Sequence, residues 1–368
     1  MNMTNEGSPA ADTIEVSIFG PGVGECCVLH LGDGKWFIVD SCTDNSGKPV
    51  ALRYLQRIGV DISKDVKGIL VTHWHDDHIG GVAELYRQAS SAKFYCSAAF
   101  DSKDLLQLLA LQRGVKISGS GGCDELAGVF ATLANRKPKH SRIAEVGPEL
   151  VKAGQVLVRD GELTLQAMSP SSKDIIRARQ AFAEMLPQVE KAKRRLVGWH
   201  ENDASVVLVL TCGDQAVLLG ADRETSNHDH TGWTAILDSE VRPQKNAEVY
   251  KVPHHGSDNG DRPEIWNELL APQPISVVTP YRNSGLPKDS DLARLRQKTT
   301  RLYLTAPVHG GSPTSYTGDV EMQMLTNAKE RQLLRSGLGQ VRVRFAREDS
   351  GGSIAVNCFG TATKHQTS

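Results

Sequence analysis

The run GILVT (68–72) leads straight into HWHDDHIGG (73–81), and this junction constrains the chain more than any other feature. Continuous aliphatic and β-branched residues predict a short strand buried on both faces. Three of the chain's 12 histidines, His73, His75 and His78, then fall within six residues, together with Asp77. Side chains two apart at the frayed end of a strand point the same way, so His73 and His75 can pinch one ion. Asp77 and His78 fall where the chain curls towards the helical HIGGVAELYRQA and can reach a second. Imidazole and carboxylate together suit zinc, manganese or iron, and not a calcium cage. A polar loop with its histidines satisfied by water suits a lone histidine better than this cluster.

The 368 residues allow one large domain or two ordinary ones. A formal charge of −1 gives no whole-molecule field for nucleic acid or an anionic membrane, so any polyanion must be held locally. Seven scattered cysteines, odd in number and never spaced Cys-x-x-Cys, argue against a disulfide framework and a thiolate zinc site. The start MNMTNEGSPAADT has neither the basic flank nor the apolar core of a signal peptide. No apolar window reaches the ~20 residues that span a bilayer. A reducing, cytoplasmic setting without membrane association is therefore expected.

Residues 1–12 read as a disordered start and 13–368 as the folded domain. TIEVSIFG, CCVLHLG and KWFIVDSC predict a meander of strands ending at Asp40, and KPVALRYLQRIGV predicts a helix with Pro49 in its first turn. From about 101 to 200 the pattern becomes mostly helical, with a hairpin predicted at Asp160-Gly161. This stretch reads as an insertion carrying Arg136, Lys137, Lys139, His140, Arg177, Arg179, Lys191, Lys193, Arg194 and Arg195. It is either a solvated basic face or a local phosphate-binding surface. Strands resume with ASVVLVLTCGDQAVLLGAD, ending at Asp222, and AEVYKVPHHGS, ending at His254 and His255. PISVVTPY, RLYLT and a closing hairpin follow. Asp222 alone would be a turn cap. In company with the histidine motifs it becomes a candidate ligand positioned to touch two ions.

THWHDDHIGG, LLGAD and KVPHHGS, in that order after GVGE and FIVDSC, resemble the metallo-β-lactamase fold, and more narrowly the hydrolase domain of ComEC-type DNA-uptake proteins and their free-standing relatives. The likeness runs through most of the chain and implies an α/β, four-layer αββα sandwich of two similar halves, here with a mostly helical insertion. It also implies two divalent metal ions, zinc or manganese. His73 and His75 would bind the first, Asp77 and His78 the second, Asp222 would bridge them, and His254 would complete the second site. His255 would ligate in its place or contact a substrate phosphate. Asp40 would support the ligands from behind. The further histidine that many of these enzymes give the first metal has no motif match. His200 and Asp203 in WHENDASVVL are the candidates, and His309 in APVHGGS is a candidate for the late histidine of the uptake proteins. The sequence Gly22-Val23-Gly24-Glu25 stands where the family has Gly-x-Gly-Asp. The membrane-channel portion of the uptake proteins has no counterpart here, so DNA transport is not implied.

The expected reaction is phosphodiester hydrolysis, as a nuclease or cyclic-nucleotide phosphodiesterase, by a hydroxide activated between two metals. Asp77 would take the nucleophile's proton, and His255 would hold the phosphate or protonate the leaving oxygen. The partner is then a phosphodiester, either nucleic acid or a small nucleotide. One alternative is hydrolysis of a carboxylic ester, thioester, lactone or β-lactam on the same metals. Another is a non-catalytic, metal-stabilised module of a defence or signalling system that binds a partner protein through residues 101–200.

Overall fold

The computed structural model describes residues 7–20, 24–100, 121–136, 147–192, 201–242, 244–308, 338–347 and 353–365. The first strands are β1 (Thr13–Gly20), β2 (Cys26–Leu31), β3 (Trp36–Val39), β4 (Val66–Val71), β5 (Lys93–Ser97) and β6 (Glu149–Val151). Next come β7 (Val156–Asp160), β8 (Leu163–Ala167), β9 (Leu208–Cys212), β10 (Gln215–Leu219), β11 (Ala247–Lys251), β12 (Leu270–Val278) and β13 (Leu302–Leu304). The chain closes with β14 (Gly339–Ala346), β15 (Ala355–Gly360) and β16 (Thr363–Lys364). One sheet has the order β15-β14-β1-β2-β3-β4-β5-β6 and the other β16-β13-β12-β11-β10-β9-β8-β7.

Period-two alternation divides each strand between two cores. In β3 and β4, Phe37, Val39 and Leu70 point between the sheets, while Trp36, Ile38, Ile69 and Val71 point outward. The inward set meets Leu165, Leu208, Leu210, Val217 and Ile275 of the other sheet. The outward set is covered by helices Val50–Arg57, Val82–Gln88 and Gly121–Asn135 through Leu52, Leu55, Leu85, Leu126 and Val129. The far face of the second sheet is covered by helices Gly232–Leu237, Pro263–Glu268 and Asp289–Lys298, through Trp233, Ile265 and Leu295. These layers are the expected four-layer αββα sandwich.

The runs β3-β4-β5-β6 and β10-β11-β12-β13 are parallel. Loops at the C-terminal ends of parallel strands collect at one edge of a sheet. Here that edge receives Asp40, the histidine cluster, Asp222, His254 and His255, and Thr279, all from the segments that follow these strands.

Two stretches are placed more closely by the structure than by the sequence. The 101–200 stretch is not simply a helical insertion: β6 is the edge strand of one sheet and β7 that of the other, with β8 beside it. The hairpin expected at Asp160-Gly161 is β7-β8, whereas the three-residue β6 carries no sequence signal of its own. Residues 10–12 are also tied to the body. The carbonyls of Ala10, Ala11 and Asp12 accept hydrogen bonds from Thr13, Asp33 and Arg347.

The inter-sheet core predicts a stability effect separable from the site. Leu210→Ala empties a fully buried position. It should lower unfolding stability by about 2–5 kcal/mol, read as a shifted urea midpoint. A shift of a few tenths of a kcal/mol would mean that the sheets do not pack as described.

Candidate metal centre

The site begins with a carboxylate that organises its neighbours. Asp40, just past β3, has a left-handed backbone (φ 61°) and is buried. Its Oδ1 accepts from the Thr72 backbone N–H at 2.7 Å, and its Oδ2 accepts from the Thr72 hydroxyl at 2.8 Å. The same Oδ2 lies 2.8 Å from His78 Nδ1. Asp40 therefore ties the ends of β3 and β4 together and turns His78 Nε2 inward. His73 is set by Thr72 Oγ1, 3.0 Å from its Nδ1, and its Nε2 lies 3.1 Å from His75 Nδ1. Gly24 permits a close approach: a Cβ there would lie 2.8 Å from the Asp77 carbonyl oxygen, which accepts from Glu25 N.

The second sheet brings Asp222 and His255. The Thr279 carbonyl lies 2.8 Å from His255 Nδ1, so that N–H donates outward and Nε2 faces the cluster. Nε2 is 2.9 Å from Asp77 Oδ2 and 3.3 Å from Asp222 Oδ2. His78 Nε2 is 3.3 Å from Asp222 Oδ1. Among the described residues, two donor groups emerge: His73, His75 and Asp222, and Glu25, His78, Asp222 and His255, each gathered within 4.8 Å. Asp222 belongs to both, and Asp77 touches both histidines of the second. Among the described residues the buried atoms His78 Nε2 and Asp222 Oδ1 have no hydrogen-bond partner. Orphaned, converging nitrogen and oxygen donors fit divalent ions of the zinc or manganese kind.

Seen against the sequence, His73, His75, Asp77, His78 and Asp222 are brought together, with Asp40 behind them. Of the readings given for the histidine pair, the one in which His255 ligates in place of His254 fits the geometry. His255 enters the cluster, whereas the His254 ring faces Asn259 Oδ1 at 2.8 Å and Glu224 Oε1 at 3.2 Å. Consecutive left-handed residues (φ 47° and 54°) send adjacent side chains apart in a way sequence spacing does not foretell. Asp203 is in neither donor group, and its carbonyl accepts from Arg223. His200 and His309 lie outside the described residues. So do Lys137, Lys139, His140, Lys193, Arg194, Arg195 and the side chain of Lys191. Arg136 and Arg179 donate to backbone carbonyls, Arg136 to those of Tyr86, Ala89 and Ala92 and Arg179 to that of Ala98, which ties both to the body of the protein.

Sequence reasoning missed Lys251 and the depth of Glu25's involvement. Lys251 Nζ is buried against the Glu25 carboxylate, donates to the Ala221 carbonyl at 2.9 Å and lies 3.8 Å from Asp222 Oδ1. The Thr279 hydroxyl donates to Glu25, whose Oε2 is also 3.5 Å from His255 Nδ1. The available signal was a lysine at an inward position of the apolar strand EVYKVP, which needs a buried counter-charge.

Burial pushes the His73 pKa well below its usual value, and His78 and His75 push the same way, leaving a neutral ring suited to ligation. Burial also opposes charge on His78 and His255, but the carboxylates prevail. His78 is held well above 6.5, chiefly by Asp222 and Asp77, and His255 is raised to about 10, chiefly by Asp222. Burial likewise works against ionised Asp222 and Asp77. Both are nevertheless held well below the usual carboxylate range by His78 and His255. Carboxylates so firmly ionised suit ligands better than proton acceptors.

The metallo-beta-lactamase superfamily model matches residues 19–103, which include the histidine cluster. The fold is the metallo-β-lactamase fold. A UPF0173 metal-dependent hydrolase from Metallosphaera sedula is 29% identical over 144 residues, 39% of this chain. The chain spans 57% of the length of that relative. Solved structures with this fold include the metallo-β-lactamase SMB-1, at 16% identity and TM-score 0.34, covering 69% of this chain and 82% of that one. They also include AidC, a dizinc quorum-quenching lactonase, at 12% identity and TM-score 0.31, covering 54% and 55%. Among the described residues, no helix is long and apolar enough to cross a membrane.

Proton and metal should compete at this centre. In the metal-free protein the raised pKa values leave His78 and His255 protonated at pH 7, so ion binding must release protons. Calorimetric zinc titrations in two buffers of different ionisation enthalpy should report that release, and affinity should fall with falling pH. Heats independent of buffer would contradict the assignment. The sign for stability also follows. The contribution of protonated His255 is complete below its ordinary pKa of 6.5 and disappears as pH rises through about 10. Asp40→Asn should weaken metal affinity by about 10–100-fold, because it removes the carboxylate that orients His78.

Proposed function

We propose that the protein is a metal-dependent hydrolase of phosphodiesters, a nuclease or cyclic-nucleotide phosphodiesterase. The observation that carries this reading is the sharing of Asp222 by two donor groups. A carboxylate common to two sites fits paired cations a few ångströms apart, the arrangement used for in-line displacement at phosphorus. His73, His75 and Asp222 would hold one ion, and Asp77, His78, Asp222 and His255 the other. Ions bound there would act as Lewis acids, lowering the pKa of a water to about 7 and offsetting charge on the phosphoryl oxygens.

The chain's own residues prepare that chemistry. Asp40 and the Thr279 carbonyl lock two imidazoles with Nε2 inward, so no ring must reorient during reaction. Tyr281, its ring 5.0 Å from His255, is half-buried beside the cluster. Burial and Asp77 raise its phenol pKa, keeping an O–H to donate to a phosphoryl oxygen. His254, Glu224, Asn202 and Asn259 form a polar margin, which favours a polar substrate over an apolar acyl chain. The motif order resembling ComEC-type hydrolase domains supports the same choice.

Metal-stripped protein resupplied with zinc or manganese should hydrolyse bis-p-nitrophenyl phosphate. A p-nitrophenyl ester and nitrocefin should remain uncut. Asp222→Ala should lose more activity than the roughly 100-fold expected of an outer-sphere change, while retaining its circular dichroism spectrum. Turnover of the ester or nitrocefin alone would move the protein to carbonyl hydrolysis. Metal binding without any turnover would leave an interaction module.

A further inference from the structure

Beside the metal cluster is a second group of polar side chains that the proposed hydrolysis leaves unused. His254 and His255 diverge from consecutive left-handed positions, and their ring centroids are 6.1 Å apart. The His254 backbone is fixed by N–H donation to the Ala221 carbonyl at 3.0 Å and by its own carbonyl accepting from Ser257 N at 2.9 Å. Left-handed conformations outside glycine carry a cost and concentrate where side chains must be aimed. At its Nδ1, His254 meets Asn259 Oδ1 at 2.8 Å and Glu224 Oε1 at 3.2 Å. Two acceptors at Nδ1 place the proton there, so Nε2 accepts from the Asn202 amide at 3.4 Å.

Glu224 is held in turn by Asn202, whose Nδ2 donates to the same Oε1 at 2.6 Å and lies 3.4 Å from His254 Nε2. Asn202 is only 6% exposed, and its Oδ1 has no hydrogen-bond partner among the described residues. The His254 and Glu224 side chains keep 19% and 18% of their surface accessible. Among the described residues both contacts of Glu224 fall on Oε1, and none falls on Oε2. The group thus offers two neighbouring acceptors, Glu224 Oε2 and the nearly buried Asn202 Oδ1, beside the His254 ring.

Resting on the phosphodiesterase reading, we propose that His254, Glu224, Asn202 and Asn259 form a subsite for the ribose hydroxyls of a ribonucleotide substrate. A neighbouring pair of acceptors matches the two donors of a vicinal diol, and a carboxylate is well suited to binding a ribose 2′-hydroxyl. A deoxyribose would leave one acceptor unmatched in a partly desolvated place. Sites built to hydrogen-bond a hydroxyl reject the analogue lacking it for that reason.

The test compares binding with turnover on the full-length, zinc-loaded protein. AMP and dAMP are titrated calorimetrically, ApA and dApdA are compared as cleavage substrates, and a ribo-oligomer is run beside the matched deoxy-oligomer. We expect the ribonucleotide to bind about tenfold more tightly and its diester to be cleaved with a lower KM. Preference in the mononucleotide and dinucleotide alone would indicate a small substrate, and preference extending to the oligomer an RNA. Either outcome supports the subsite. Glu224→Gln should bring the AMP to dAMP affinity ratio close to one. His254→Asn, which tolerates a left-handed backbone, should do the same and guards against a folding defect in the first variant. Equal binding of AMP and dAMP by the unmutated protein overturns the subsite, even if bis-p-nitrophenyl phosphate is cut. A ratio unchanged in both variants also overturns it. Absence of diester cleavage with the AMP preference retained would instead defeat the phosphodiesterase reading and leave the subsite standing.

Discussion

Four buried carboxylates, Glu25, Asp40, Asp77 and Asp222, crowd one edge of the sandwich, and the rest of the architecture must hold them there. Placing even one ionised carboxylate out of water is costly unless it is paired and hydrogen-bonded. The described contacts meet that demand in layers. Asp40 is satisfied by Thr72 and His78 and Glu25 by Lys251 and Thr279, while Asp77 and Asp222 face the charges of His78 and His255. The outer acids are neutralised by fixed protein groups. The inner acids face histidines that can exchange a proton for a metal ion. Such an ordering makes the centre rigid at its back and chemically exchangeable at its front.

The strand-end geometry follows from the same demand. His73, His75, Asp77, His78, Asp222 and His255 lie within seven residues after a strand's end and Glu25 directly before β2, where the backbone is anchored on one side and free to turn on the other. Asp40, Ala221, His254 and His255 use left-handed backbone there, so the side chains converge from two sheets instead of continuing the alternation of their strands. Gly24 lets the β1–β2 connection approach the Asp77 carbonyl closely enough to deliver Glu25.

Much of this was legible in residue order. The alternation of the early meander, the GILVT strand and the two hairpins at Asp160-Gly161 and Gly213-Asp214 carry local signals that survive into the fold. The clustering of His73, His75, Asp77 and His78 gave half the centre, because spacing on one short segment is a local property. Which of His254 and His255 turns inward was not legible, since it depends on φ at two adjacent residues and on the distant Thr279 carbonyl. Lys251 and Glu25 were hidden for a similar reason. Their partnership joins residues from different sheets, and an isolated lysine in a strand does not name its counter-ion. Within 101–200, β6 was hidden by its length of three residues.

The contact between Asp77 and His255 joins residues 178 positions apart and crosses from one sheet to the other. The centre is therefore also a clasp between halves that otherwise meet through side chains of the inter-sheet core. Such a clasp has a consequence for folding order. Contacts this distant in sequence close only after both sheets have formed and docked, so the complete donor set appears late in folding. A chain that has folded one half presents His73, His75, Asp77 and His78 without Asp222 or His255, and therefore only part of the coordination shell. Retention of metal by the full set then reports that the two halves have been assembled in register.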